Sequence, residues 1–222
     1  MNIYAIQRPF KLTEQEIKKY LIKIPTERQE KVKKFLIKED AIQSLCGSLL
    51  LKYVVQKELT SCDILISYNQ NGKPYIDKFP EFHFNISHSY NWIICVTDNI
   101  QVGVDIEKIN EIDLDIAKEF FTTTEYTNIK KKPFLQQLPC FYEYWTMKES
   151  YLKNIGKGLS IPLNSFSISE VDGKYITVDK YQNMYFFNQL HLDREYKLSI
   201  CSKKYILEPK IQFVSFREFD NI

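Results

Sequence analysis

The octapeptide VGVDIEKI at residues 102–109 leaves the chain few ways to fold locally. Val102, Val104 and Ile106 recur at every second position, the period of a strand that is buried on one face. Side chains on a strand point alternately to opposite faces, so Asp105 and Glu107 share the other one. Two carboxylates held that close repel, and one of them resists ionising unless a cation sits between them. A solvated strand face, or an ion pair with a lysine, would show the same D-x-E spacing, so the pair alone leaves the cation's identity open.

Around this strand the periodicity changes several times. LTEQEIKKYLIKI places Thr13 and Glu16 as a capping box ahead of Ile17, Leu21 and Ile24, which predicts a helix. The stretch from Thr26 to Leu59 keeps helical spacing through Val32, Phe35, Leu36, Ala41, Leu45, Leu49 and Val54, with a break near IKED. DILISYNQNGKPYI reads as two short strands about a turn at Asn71–Gly72. Residues 81–109 give three β-like runs, and Ile112, Ile116 and Phe120 then return to helical spacing. A loop with Pro133 and Pro139 precedes a second long helix, CFYEYWTMKESYLKNI, closed by Gly156. The tail is β-rich, with an Asp172–Gly173 turn. This order predicts an α+β fold of two intimately packed halves, 1–100 and 101–222, with a seam near residue 100.

Composition narrows the function. The 222 residues carry a formal net charge of +2, with 44% hydrophobic and 26% charged residues, which excludes a global field for nucleic acid. Only six glycines occur, so long flexible linkers are not expected. Five cysteines are scattered at 46, 62, 95, 140 and 201 with no C-x-x-C pair, a pattern of free thiols in a reducing compartment. The N-terminus shows no signal-peptide core, and no run approaches the ~18 apolar residues of a membrane span. A cytoplasmic chain is expected.

Glu149 in WTMKES is the best third ligand for a hard cation such as Mg²⁺, which takes a few carboxylates and fills its remaining positions with water and phosphate. Lys148 and Lys153 flank it, and Gly156-Lys157-Gly158 follows. Glu149 and Lys153 at i, i+4 are also an ordinary surface pair. GKP at 72–74 offers a tight turn with a lysine, or simply a solvated hairpin. FNISHS at 84–89 sets Ser87, His88 and Ser89 where hydroxyl and imidazole groups can donate to phosphate oxygens. No G-x-S-x-G elbow accompanies Ser87 and His88, so a hydrolase nucleophile is not expected.

In order, NGKP, FNISHS, VGVDIE, FFTTTEY, WTMKESYLK and GKGLS resemble the motifs of 4′-phosphopantetheinyl transferases of the surfactin-synthetase-activating type. The resemblance runs from IPTERQEKVKKFLIKED to PLNSFSI. It implies two similar α+β halves related by a pseudo-two-fold, each a small sheet packed with a long helix. It also implies transfer of the 4′-phosphopantetheine arm of coenzyme A to a serine of an apo acyl or peptidyl carrier protein, releasing adenosine 3′,5′-bisphosphate. Mg²⁺, with Mn²⁺ as an alternative, would be held by Asp105, Glu107 and Glu149.

The same resemblance makes Glu125 the general base and gives Lys153 the phosphates and leaving group. Ser87 and His88 would hold phosphate oxygens, Lys73 and Pro74 would lie at the adenine end, and Lys148 is counted among the coenzyme A contacts. The family's basic pair after KEDA is here Ile42 and Gln43. Arg28, Lys31 and Ser44 are expected to compensate, with weaker discrimination between coenzyme A and its 3′-dephospho form. Residues 128–141, with three lysines beside Phe134 and Leu135, are the expected carrier-protein contact. No nucleic acid or membrane partner is expected, and a monomer would suffice. A relative that binds coenzyme A without transferring from it is the alternative.

Overall fold

The computed structural model describes residues 1–60 and 65–222. The thiol expected at Cys62 and the start of the strand read from Asp63 lie outside these residues.

The chain builds four layers. Strand β1 (Asn2–Gln7) is buried along its middle and is followed by helices α1 (Glu14–Leu21), α2 (Thr26–Lys33) and α3 (Lys38–Leu59). The capping box read at Thr13 and Glu16 is present at the start of α1. A two-residue hairpin, β2 (Ser67–Tyr68) and β3 (Pro74–Tyr75), turns at Gly72 with φ +82°, a left-handed value suited to glycine. Strands β4 (His83–Ser89) and β5 (Trp92–Asp98) join β1 in the first sheet, and β6 (Val102–Lys108) opens the second.

Short helices α4 (Ala117–Phe120) and α5 (Thr123–Lys131) precede α6 (Phe134–Ile155), and β7 (Ser169–Val171), β8 (Lys174–Val178), β9 (Met184–Leu190) and β10 (Tyr196–Ser202) finish the second sheet. The first sheet has the order β11-β1-β5-β4, where β11 is Ile211–Phe213, and the second β6-β10-β9-β8-β7.

The strand period assigns each face. Tyr4, Ile6, Ile93 and Cys95 meet Leu45, Leu49, Leu50 and Val54 of α3. The opposite faces, Ile3, Ala5, Ile94 and Val96, meet Val102, Val104, Ile106, Leu198 and Ile200 of the second sheet. Phe187 and Cys201 on that sheet's far side meet Met147, Tyr151 and Leu152 of α6. The order is therefore α3, sheet, sheet, α6. Burying each of these large aliphatic side chains contributes roughly 1.5–3 kcal/mol.

One expectation is corrected, and one boundary is bridged. Helix α6 begins at Phe134 and carries Pro139 inside it, rather than starting at Cys140. Proline removes one helical N–H early in the helix, and the remaining ladder carries on through it. The division at residue 100 is also crossed. β11 pairs parallel with β1, and Asp220 accepts from Lys19 Nζ at 2.6 Å and Tyr20 OH at 2.8 Å, so the C-terminal segment belongs to the first half.

Candidate active site

The two sheets meet edge to edge, β4 against β6, and side chains replace the missing main-chain ladder. Asn85 Oδ1 accepts from Val104 N at 2.8 Å, Ser87 Oγ from Ile106 N at 3.3 Å, and Ser89 Oγ from Lys108 N at 3.1 Å. An open strand edge presents unpaired amides, and three short polar side chains at every second position satisfy these. A hydroxyl both accepts and donates. Ser87 Oγ donates to Asp105 Oδ1 at 3.0 Å and Ser89 Oγ to Glu107 Oε2 at 3.0 Å.

Helix α6 covers the face of β6 that bears Gly103, Asp105 and Glu107. The approach requires Gly103, since a Cβ there would lie 2.0 Å from Ser150 O and 2.4 Å from Asn154 N. Lys153 Nζ reaches Asp105 Oδ1 at 2.6 Å and Ser87 Oγ at 2.9 Å. In this structure the cation beside Asp105 is thus a lysine.

One lysine does not balance three carboxylates. Burial raises the Asp105 pKa, opposed by Lys153; burial and then the Asp105 charge raise Glu107 to about 7; burial and then Asp105 raise Glu149. Asp105 Oδ2 is buried with no hydrogen-bond partner among the described residues. An orphaned carboxylate oxygen among crowded, half-buried carboxylates fits a hard divalent cation. Among the described residues, however, no three acidic, histidine or cysteine side chains are already gathered closely enough to hold one. Asp105 is in place, and Glu107 and Glu149 would have to turn toward it.

Beside the seam lies a cavity of about 610 Å³. Arg28, Lys31, Gln43, Ser44, Pro74 and His88 are among the residues that line it. This wall brings together five of the residues expected to hold coenzyme A. His88 neighbours Ser87 in β4, so one strand serves both the cavity and the carboxylates. Desolvation and then the Lys153 charge hold the His88 imidazole below its ordinary pKa. Arg28 Nε donates to Ser48 Oγ at 3.2 Å, while Gln43 Nε2 and Arg8 Nε both donate to Tyr90 O at 3.2 Å.

Four expected residues are placed otherwise. Glu125 is fully buried and ion-paired with Lys148, Nζ to Oε2 2.9 Å, and it also accepts from Thr122 N at 2.9 Å and Ile168 N at 2.8 Å. A carboxylate sealed this way cannot meet an incoming hydroxyl, so the general-base assignment is corrected to a structural role. Lys148 donates to Leu163 O and Phe166 O as well, and so reaches no ligand. Ser87 is 4% exposed and spends its hydroxyl on the seam, not on a phosphate. Lys73 turns away from the cavity; its ammonium donates to Asn154 O at 2.7 Å and Gln101 Oε1 at 2.8 Å, and burial lowers its pKa to about 8.

Asn85 and Ser89 join Ser87 as seam residues that the motifs do not single out, and their period-2 alternation is visible in FNISHS. The T-x-x-E signature of Thr122 and Glu125 forms a capping box at the start of α5.

Comparison with known proteins shows the family. A family model described as 4′-phosphopantetheinyl transferase superfamily matches residues 101–201, and one described as 4′-phosphopantetheinyl transferase, N-terminal, matches residues 9–100. The 4′-phosphopantetheinyl transferase Sfp of Bacillus subtilis is 39% identical over 222 residues, spanning 98% of this chain and 99% of that protein. The 4′-phosphopantetheinyl transferase gsp of Aneurinibacillus migulanus is 44% identical over 149 residues, 66% of this chain and 62% of that protein. Among solved structures, a holo-(acyl-carrier-protein) synthase from Bacillus anthracis in complex with CoA (3′,5′-ADP) matches 46% of this chain and 93% of its own at 20% identity and TM-score 0.42. On the full-length identity to Sfp, the chain belongs to the 4′-phosphopantetheinyl transferase family.

Proposed function

We propose that the chain transfers the 4′-phosphopantetheine arm of coenzyme A to a serine of an apo carrier protein and releases adenosine 3′,5′-bisphosphate. The observation that carries the reading is the juxtaposition of the cavity with the Asp105–Lys153–Ser87 cluster along one strand. A nucleotide lodged among Arg28, Lys31 and His88 would extend its pyrophosphate past His88 toward Lys153 and the carboxylates.

The serine oxygen forms a bond to the β-phosphorus, and the bond from that phosphorus to the oxygen of the leaving bisphosphate breaks. Negative charge on the pyrophosphate is the main obstacle, so positioning and electrostatics supply most of the catalysis. Asp105, Glu107 and Glu149 would hold Mg²⁺. When bound, this ion supplies charge neutralisation across the pyrophosphate oxygens. Lys153 adds a fixed positive charge for the leaving phosphate, and Ser87 and Asp105 aim it.

With Glu125 sealed, the serine proton falls to a carboxylate at the seam. Glu107 and Glu149 are half-buried and held above the ordinary carboxylate range, and the one that the cation leaves free would take it.

The carrier protein would dock where α5 ends and α6 begins. Phe134 and Leu135 are 83% and 85% exposed there, next to Lys130, Lys131 and Lys132. Apolar and basic groups together suit an acidic helical partner. Both sheet edges of the site come from one chain, so a monomer would suffice.

Intact-mass spectrometry of an apo carrier protein with this enzyme, coenzyme A and Mg²⁺ tests the reading. Gain of one phosphopantetheine, abolished by EDTA, supports it. Coenzyme A binding with no mass gain across peptide, polyketide and fatty-acid carriers would favour the non-catalytic binder.

A further inference from the structure

Lys73 carries a half-buried ammonium that forms no ion pair with a carboxylate among the described residues. Its three acceptors all belong to the opposite half: Gln101 Oε1 at 2.8 Å, Val102 O at 3.3 Å and Asn154 O at 2.7 Å. Val102 opens β6, three residues before Asp105. Asn154 follows Lys153 directly in the last turn of α6, where a cation also complements the helix dipole.

The other end of the lysine is held as firmly. Asn69 Oδ1 accepts from Lys73 N and Asn71 N, both at 2.9 Å, and Asn69 N donates to Lys73 O at 3.0 Å. The turn so fixed presents Gly72 and Pro74 to the cavity. Gly156, the left-handed cap of α6, packs on the same stem; a Cβ there would meet Lys73 Cδ at 3.0 Å and Asn69 Nδ2 at 3.2 Å. Asn154 Nδ2 donates to Gln101 O at 2.8 Å and Cys201 O at 2.9 Å, so the acceptors of Lys73 are themselves tied together.

We infer that Lys73 is a positioning residue that sets the spacing between the cavity wall and the carboxylate–lysine cluster. It acts through the turn at one end and through β6 and α6 at the other, without touching the ligand through its ammonium. This inference rests on the proposed reading that one coenzyme A spans both sites. A ligand that spans two sites gains affinity only while their separation matches its own, and displacements near 1 Å in such a frame cost about 100-fold in rate. Adenosine 3′,5′-bisphosphate, which lacks the pyrophosphate bridge, occupies only the cavity side.

The test compares the wild-type enzyme with Lys73→Met, and with Lys73→Arg as a charge-keeping control should the methionine variant fold poorly. Calorimetry measures binding of coenzyme A and of adenosine 3′,5′-bisphosphate, and amide hydrogen exchange is followed on the ligand-free proteins. Lys73→Met is expected to weaken coenzyme A by about tenfold and leave the bisphosphate within about threefold. Exchange is expected to quicken at both 69–74 and 154–157, and the arginine variant to recover part of each effect.

Equal weakening of both ligands would overturn the inference and make Lys73 a direct contact. Unchanged exchange at 154–157 would also overturn it, whatever the ligands do. Should wild-type enzyme bind no coenzyme A, the proposed function fails on its own account, while the exchange comparison still decides whether Lys73 couples the two segments.

Discussion

Lys148 Nζ lies 2.9 Å from Glu125 Oε2, and the two side chains are 0% and 1% exposed. The pair links the first turn of α5 to the middle of α6, and Lys148 extends the link to Leu163 O at 2.8 Å and Phe166 O at 2.6 Å. It therefore fixes the segment of α6 that carries Glu149 one residue further on.

Breaking one side of a buried pair strands the other charge. Glu125→Ala or Lys148→Met should each cost about 3–5 kcal/mol, lowering the melting temperature by roughly 10 °C. The double change Glu125→Leu/Lys148→Met should recover most of that loss, because no lone charge remains. Thermal unfolding of the three variants measures this; single variants that melt with the wild type would refute the structural role.

Burial and the Asp105 charge raise Glu107 from 4.5 to about 7. Between those values the native state binds more protons at this group than the unfolded chain does. Its contribution to stability is therefore present below about 4.5 and lost as pH rises through 7. Glu107→Gln should flatten the fall of melting temperature across this window relative to wild type. Excess Mg²⁺ on the alkaline side should stabilise the wild type by mass action and the variant far less. Parallel pH curves for the two proteins would contradict the assignment.

Gly103 lets α6 rest directly on β6. A Cβ there would meet two backbone atoms, Ser150 O and Asn154 N, neither of which can rotate away. Gly103→Ala should force the helix off the strand, cost about 3 kcal/mol or more, and slow transfer by separating Lys153 from Asp105. Chemical denaturation and transfer rates read both effects, and a fully stable, active Gly103→Ala enzyme would be incompatible with this packing.

Gln43 spends its amide on Tyr90 O instead of carrying charge into the cavity. A charge-assisted contact to a bound 3′-phosphate would therefore be missing at that position, and such contacts contribute about 1.5–3 kcal/mol. Competitive binding should show only modest preference for coenzyme A over its 3′-dephospho form, rising about tenfold in Gln43→Arg. A strong preference in the wild type would mean that Arg28 and Lys31 already suffice.

Local rules made much of this structure readable. The 3.6-residue spacing announced α3 and the core of α6, period-2 alternation announced β4, β5 and β6, and the turns at Gly72 and Gly173 followed from their Asn-Gly and Asp-Gly pairs. Asp105 lies beside Lys153, and five residues named from the motifs line one cavity. What escaped depends on partners far along the chain. β11 is three residues long and pairs with a strand some two hundred residues earlier, so it has no local signature. The exposure of Glu125, Lys73 and Lys148 could not be read either, because a charged side chain looks the same in sequence whether it faces a ligand or a buried partner. Ser87 resembles a phosphate donor for the same reason, until the edge of β6 is seen beside it.

The most direct test of the account separates the carboxylates at the seam from the one sealed in the core. Single-turnover transfer to an apo carrier protein should be compared for wild type, Glu149→Gln and the neutral pair Glu125→Gln/Lys148→Met, below the melting temperature of each. Glu149→Gln is expected to lose at least about 100-fold with its fold intact, and the neutral pair to keep most of the wild-type rate. A folded neutral pair that is as slow as Glu149→Gln, or a Glu149→Gln enzyme that transfers normally, would contradict it.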